Sequence, residues 1–118
     1  MSRRILIVED NEAAAIGLAR LLRAEGFEVT NVGDATAALV ALESEPHPDY
    51  LLTDLQLPDL DGRELARRAR ELSPTSSIAL MTGWDIESLS DDPARWGIDW
   101  VIAKPIEIHT LLDRLNGR

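Results

Sequence analysis

Four short apolar runs, at residues 5–8, 50–52, 78–81 and 100–103, restrict what this chain can fold into more than any other feature. Each is too short for a helix, and none alternates apolar with polar residues. Each therefore reads as a strand buried on both faces of a parallel sheet. A fifth segment, residues 27–32, alternates at its start, which is the pattern of an edge strand. Between these runs the period lengthens to that of a helix. Ala15, Leu18, Ala19 and Leu22 share one face, with Gly26 as the stop. Ala35, Ala38, Leu39 and Leu42 form a second stripe, with Asp34 as N-cap and Pro46 and Pro48 closing the segment. Leu65, Ala66, Ala69 and Leu72 form a third, closed by Ser73-Pro74, and Ile108, Leu111, Leu112 and Leu115 form a last one, ending at Asn116-Gly117. Within residues 85–96, Ile86 and Leu89 keep helical spacing, but Ser88, Ser90, Asp91, Asp92 and Pro93 predict a short or distorted helix. The order is β-α repeated five times, which implies a doubly wound α/β fold: one parallel sheet with helices on both faces, in a single domain over residues 1–118.

Composition removes several classes of function. Hydrophobic residues at 45% and charged residues at 28% suit an ordinary globular fold. With 21 Asp+Glu against 12 Lys+Arg, the net charge is −9, a surface that repels phosphodiester backbones, so no nucleic-acid partner is expected. The absence of cysteine excludes disulfides, zinc–thiolate sites and thiol catalysis. No apolar run approaches the roughly 18 residues that cross a bilayer, and the first ten residues do not read as a signal peptide. The expectation is a cytoplasmic chain with no membrane partner.

The reactive side chains fall at the strand ends. Glu9 and Asp10 close the first apolar run, Asp54 closes the second, Thr82 the third and Lys104, followed by Pro105, the fourth. In an open parallel sheet all strand carboxyl ends lie along one edge, where ligands bind. Singly, Asp10 could be a helix cap, Thr82 a turn residue and Lys104 a solvated cation. Asp54 is not a local cap, because Leu55-Gln56-Leu57-Pro58 puts the next helix several positions away. Three converging carboxylates repel one another unless a cation sits among them. Oxygen-only ligation selects a hard divalent ion, Mg²⁺ before others. A hydroxyl and an ammonium beside them suit the oxygens of a phosphoryl group. An aspartate with a free oxygen beside Mg²⁺ describes a nucleophile for phosphoryl transfer.

These residues stand in the motifs Ile-Leu-Ile-Val-Glu9-Asp10-Asn, Leu-Leu-Thr-Asp54-Leu-Gln-Leu-Pro58-Asp-Leu-Asp-Gly62, Met-Thr82-Gly83 and Ala-Lys104-Pro105, with spacings of 44, 28 and 22 residues between Asp10, Asp54, Thr82 and Lys104. In these motifs the chain resembles the receiver domain of two-component response regulators, the chemotaxis-regulator-like type, over essentially its whole length. The resemblance implies a flavodoxin-like three-layer α/β/α fold with strand order 2-1-3-4-5, an order the family is itself used to illustrate. Five helices would flank the sheet, the second and fifth strands would lie at its edges, and Ile5, Ile7, Leu51, Leu52, Ile78, Leu80 and Ile102 would belong to its core. It implies a signalling domain rather than an enzyme. A phosphohistidine on a sensor histidine kinase or a histidine phosphotransfer protein would donate to Asp54, with Mg²⁺ as cofactor, and water would later remove the group. Asp54 is then the phosphoacceptor. Asp10, Asp54 and the Gln56 backbone carbonyl hold the metal directly, Glu9 acts through water, and Lys104 pairs with the phosphoryl group ahead of a cis peptide at Pro105. Thr82 is the switch hydroxyl, and Gly83 leaves room for it. The output partner would be a downstream protein or domain outside this chain, or a second copy meeting the face of the fourth helix, fifth strand and fifth helix.

Three positions depart from the family pattern. Val101 replaces the usual switch aromatic, and alternation points Trp100 to the other face. Trp84 puts an indole at the mouth of the site, and Pro93 with Asp91-Asp92 breaks the fourth helix. Readout is therefore expected through Trp84 and residues 85–96, ordered or displaced by phosphorylation. The alternatives are a phosphorylation-independent pseudo-receiver, or the receiver domain of a hybrid histidine kinase. A dehalogenase-type phosphohydrolase needs a second Asp where Gln56 stands, and a calcium loop with Gly62 at its sixth position would need a ligand at Leu57. Asp59 and Asp61 read instead as a turn and cap. His47 and His109 are expected to face solvent, Arg63, Arg67, Arg68 and Arg70 to form a solvated face, and Trp96 and Trp100 to pack beneath or beside the irregular segment.

Overall fold

The computed structural model describes residues 3–83 and 92–117. In chain order the elements are β1 (Arg4–Val8), α1 (Glu12–Ala24), β2 (Glu28–Val32), α2 (Ala35–Leu42), β3 (Tyr50–Asp54), α3 (Gly62–Leu72), β4 (Ser77–Thr82), a 3₁₀ turn (Pro93–Trp96), β5 (Trp100–Ala103) and α4 (Ile108–Leu115). All four strand pairings are parallel, in the order β2-β1-β3-β4-β5, so β2 and β5 are the edges. Four α-helices, not five, stand among the described residues. Of the expected fourth helix only its end is described, and that end is a 3₁₀ turn. Asp92 caps it by accepting from the Ala94 amide, Pro93 starts it, and Gly97 at φ 77° stops it. Asp92, Pro93 and Gly97 thus delimit a single tight turn. Trp84 and residues 85–91 lie outside the described residues.

The absence of alternation in the strands follows from burial on both faces. Leu6, Val8, Leu51, Ile78 and Leu80 point toward α2 and α3, while Ile5, Ile7, Leu52, Ala79, Met81 and Ile102 point toward α1 and α4. The expected core residues are all buried, none above 6% exposure. Asn11, Asp34, Asp61 and Glu107 cap the four helices in turn, each accepting from backbone amides of the first turn. Leu72, expected in the third stripe, is exposed. The inward position at that helix end belongs to Ser73, four residues after buried Ala69, and its hydroxyl pairs with that of buried Ser76 at 2.5 Å.

The arginine face of α3 is only partly solvated. Arg67 and Arg68 are exposed and pair with Glu64. Arg70 instead reaches past the helix end and donates to the carbonyls of Pro74, Ser76 and Gly97 and to the Asp99 carboxylate. Its planar fork thereby fastens α3 to the start of β4 and to the turn before β5. Arg63 pairs with Asp61 and lies over the Trp96 ring, 5.5 Å from its centroid. Trp96 thus packs beside α3. Trp100 packs on the opposite face, beneath Arg114 of α4, with its indole N–H donating to Ser77. The two rings thus belong to the clusters on opposite faces of the sheet.

Gly62 opens α3 where the chain turns back on the end of β3. A Cβ there would fall 1.9 Å from the Asp54 carbonyl oxygen, so only glycine allows the approach. Gly17, in the middle of α1, has open space around it. The expected outcome is opposite signs: Gly62→Ala lowers stability by about 2 kcal/mol or more through forced backbone movement, whereas Gly17→Ala raises it by roughly 0.5–1 kcal/mol. Urea denaturation of the two variants checks both signs.

Candidate functional site

Parallel pairing sets the positions of the site residues. Val8 sits opposite Thr53, Asp54 opposite Met81, and Thr82 opposite Ala103, so the ends of β1, β3, β4 and β5 come level at one edge. The ladder continues just beyond the strands. The Glu9 amide donates to Val32, Leu55 to Met81 and Lys104 to Thr82. These bonds fix the backbone that carries the reactive groups. One cleft of about 420 Å³ is lined by Glu9, Asp10, Asp54, Gln56, Thr82, Gly83 and Lys104. The structure therefore brings together the expected strand-end residues in one place.

Within it, carboxylate oxygens of Glu9, Asp10 and Asp54 lie within 4.8 Å of one another. Glu9 and Asp54 are buried, at 6% and 7% exposure, while Asp10 faces solvent. The Lys104 ammonium donates to Glu9 Oε2 at 2.9 Å and is ion-paired with Asp54 Oδ1. Burial is the largest influence on Asp54. Together with the neighbouring Glu9 carboxylate it pushes the Asp54 carboxyl up to about 7, against the opposing pull of Lys104. Burial also acts to raise Glu9, but its hydrogen bonds with Asp54 and Lys104 outweigh that and hold it below the usual range. Burial disfavours the charged Lys104, yet its two carboxylate partners more than compensate and raise it.

The donor set fits Mg²⁺. It is all oxygen, it contains neither His nor Cys, and its exposed member, Asp10, leaves the ion open to retained water. Gln56 lines the same cleft, and its residue forms an antiparallel bridge with Asp61 that closes the loop after β3. Thr82 is buried at the end of β4. A Cβ on Gly83 would meet only Lys104 Cβ, at 4.0 Å, which is ordinary contact. The Lys104–Pro105 peptide is cis. Val101 is half-buried against the cluster that includes Trp96 and Ile98, on the face away from Trp100.

His109 is exposed in the first turn of α4. His47 is half-buried rather than solvent-facing, and its buried Nδ1 has no hydrogen-bond partner among the described residues. Its place between Pro46 and Pro48 turns the ring inward at the amino end of β3, away from the cleft. Neither carboxylate of the suspected calcium loop is available for an ion. Asp61 accepts from the Arg63 amide at 2.7 Å, and Asp59 from the amides of Ala35 and Thr36, each at 2.9 Å. Sequence reasoning missed one feature beside the site: an apolar groove lined by Ala14, Leu18, Leu21, Ile106 and Ile108, sharing Glu9 and Lys104 with the cleft. Its signal was Leu21, an apolar side chain on the solvent side of the α1 stripe, 51% exposed.

Comparison with known proteins agrees with this geometry. The family model for the response regulator receiver domain matches residues 5–116. The response regulator receiver protein CpdR of Brucella abortus is 34% identical over 97% of this chain and 94% of its own length. The sensory transduction protein RegX3 of Mycolicibacterium smegmatis is 38% identical, but there the chain spans only 49% of the relative. The same holds for several other relatives, of which it covers about half. Among solved structures, a CheY-like response regulator receiver domain from Methylobacillus flagellatus superposes with a TM-score of 0.89, at 32% identity, over 99% of this chain and 98% of that one.

The raised Asp54 carboxyl fixes the sign of a pH effect on the metal-free protein. Its folded value of about 7 lies above the ordinary 3.8. Its contribution to stability is therefore fully present below the ordinary value and is lost as pH rises through about 7. Asp54→Asn should accordingly be more stable than wild type at about pH 8 and should lose that advantage toward about pH 4. Urea midpoints at the two pH values test this, and an identical difference at both contradicts it.

Proposed function

The chain belongs to the response regulator receiver domain family, and from that premise we propose that Asp54 accepts a phosphoryl group from a phosphohistidine and so carries a two-component signal. The observation that carries this reading is the buried Asp54 carboxylate at the end of β3, flanked by Glu9 and Asp10 and ion-paired with Lys104. Every side chain the chemistry needs is present, which weighs against a phosphorylation-independent module.

In the transfer, an Asp54 oxygen attacks phosphorus and the P–N bond to the donor imidazole breaks. The departing nitrogen keeps the electron pair, and an acyl phosphate forms on Asp54. Lys104 moves its charge from the two carboxylates to the phosphoryl oxygens, and the Thr82 hydroxyl donates to the same group. Glu9, Asp10, Asp54 and the Gln56 carbonyl would hold Mg²⁺, which supplies positive charge to the transferring oxygens when bound. Hydrolysis reverses the state. A water oxygen bonds to phosphorus, the acyl phosphate P–O bond breaks, and Asp54 is regenerated with release of inorganic phosphate.

The apolar groove along α1 opens beside the cleft and shares Glu9 and Lys104 with it. A phosphohistidine must approach Asp54 from this edge, so we assign the groove to the helix of the sensor kinase or phosphotransfer protein that carries it, acting in the cytoplasm. A solved receiver domain of the hybrid histidine kinase CckA is 34% identical over 97% of the chain, and the same chemistry would serve a chain of that kind.

Labelled acetyl phosphate with Mg²⁺ should modify wild type and leave Asp54→Asn unlabelled, while Lys104→Ala should bind Mg²⁺ but label about 100-fold more slowly. Full labelling of Asp54→Asn would remove the assignment. Leu21→Glu should slow transfer from a phosphohistidine protein by about tenfold or more, with acetyl phosphate labelling unchanged. Equal rates with the protein donor would exclude the groove as its docking site.

A further inference from the structure

The loop between β3 and α3, residues 55–61, carries Gln56 to the cleft and is fastened from two directions. From within, the Gly62 amide donates to Leu55 at 2.7 Å, and Gln56 bridges to Asp61. From outside, Leu55, Leu57 and Leu60 pack against the core, the Leu55 amide donates to Met81, and one side chain among the described residues ties the loop to α2 by hydrogen bonds. Asp59 accepts from the amides of Ala35 and Thr36, both at 2.9 Å, and from the Thr36 hydroxyl at 2.6 Å. These bonds join residues 23 and 24 positions apart and meet the first turn of α2. That helix already has an N-cap of its own, because Asp34 accepts from the Ala37 amide at 2.8 Å. A second carboxylate is not needed to start the helix. The Asp59 carboxyl is pulled down to about 2, chiefly by the Thr36 hydroxyl and then by the Ala35 amide, so it is ionised throughout the physiological range. The support is firm, since Ala35, Ala38 and Leu42 are buried against the sheet and α3.

We propose that Asp59 is a positioning residue for the acceptor site: by tying residues 55–61 to α2 it holds the Gln56 backbone at the cleft in the conformation that takes up the metal. The proposal rests on the reading of Asp54 as a phosphoacceptor with Mg²⁺. Asp59 touches neither the cleft nor its carboxylates. It acts through the fraction of molecules whose loop is already in place, and an apparent dissociation constant rises as that fraction falls. Asp34 and Asp59 bond to the same helix end, but only Asp59 belongs to the loop, so the two separate a positioning role from a cap.

Mg²⁺ titrations of the full chain, followed by amide chemical shifts, read the affinity, and hydrogen exchange of the Gln56, Leu57 and Gly62 amides in the metal-free protein reads the loop. Asp59→Ala should weaken Mg²⁺ binding about fivefold and accelerate exchange at these amides. Asp34→Ala, with a comparable fall in the urea midpoint, should change neither. Thr36→Val removes only the hydroxyl bond, should move both readouts less and in the same direction, and decides the matter if Asp59→Ala does not fold. Equal effects of Asp34→Ala and Asp59→Ala, or an Asp59→Ala effect confined to the urea midpoint, would overturn the positioning role. Wild type that labels at Asp54 with Asp59→Ala unchanged would sink this role alone. Wild type that neither binds Mg²⁺ nor labels would sink the acceptor reading and this role together.

Discussion

One ammonium held between two buried carboxylates is the contact on which the rest of this structure depends. Glu9 and Asp54 are both taken out of water and placed side by side, an arrangement that costs free energy unless a cation answers it. Lys104 supplies that cation from a position 50 residues beyond Asp54. Because β1, β3 and β5 run the same way, their carboxyl ends meet at one edge, so the topology sets up the electrostatic contact. At Asp54 burial and the Glu9 carboxylate outweigh Lys104 and raise the carboxyl, whereas at Glu9 the bonds with Asp54 and Lys104 prevail and hold it low. It is this arrangement of charge that suits the divalent cation and phosphoryl group proposed for the site.

Around that contact the scaffold is stiff where it must hold position. Both faces of the sheet are packed, Gly62 lets α3 close against the Asp54 carbonyl, and Arg70 fastens α3 to β4 and to the approach of β5. The polar groups of the site lie at the last residues of the strands or just beyond them, where a rigid frame brings them together at one edge. The loop after Asp54 is the longest of the connections among the described residues that carry site groups. It is also the one with a side-chain tether to a separate helix.

Much of this was legible in the sequence for identifiable reasons. Strands buried on both sides announce themselves as unbroken apolar runs, and β5 matches its run at both ends. Strand-end acids and Lys104 were legible because one topological rule converts sequence position into convergence. Local caps such as Asp34 were legible because donor and acceptor are three residues apart. Contacts across long separations were not. Nothing near Arg70 foretells Gly97 and Asp99, 27 and 29 residues away, and nothing near Asp59 foretells Thr36. Their spacing looked like a solvated face and a turn. Leu72 and His47 fell differently for smaller causes, a drift of the helical stripe to Ser73 and a ring turned inward between two prolines.

The raised Asp54 carboxyl gives the most direct measurement. If Mg²⁺ takes the place of its proton, binding must release it, and calorimetry in buffers of different ionisation enthalpy counts the release. With Asp54 at about 7, wild type should release about half a proton per ion near pH 7, more near pH 6 and almost none near pH 9. Asp54→Asn should release essentially none at any of them. Equal release from the two proteins, or none from wild type near pH 6, would contradict a cluster held ready by a proton and Lys104 for a metal and a phosphoryl group.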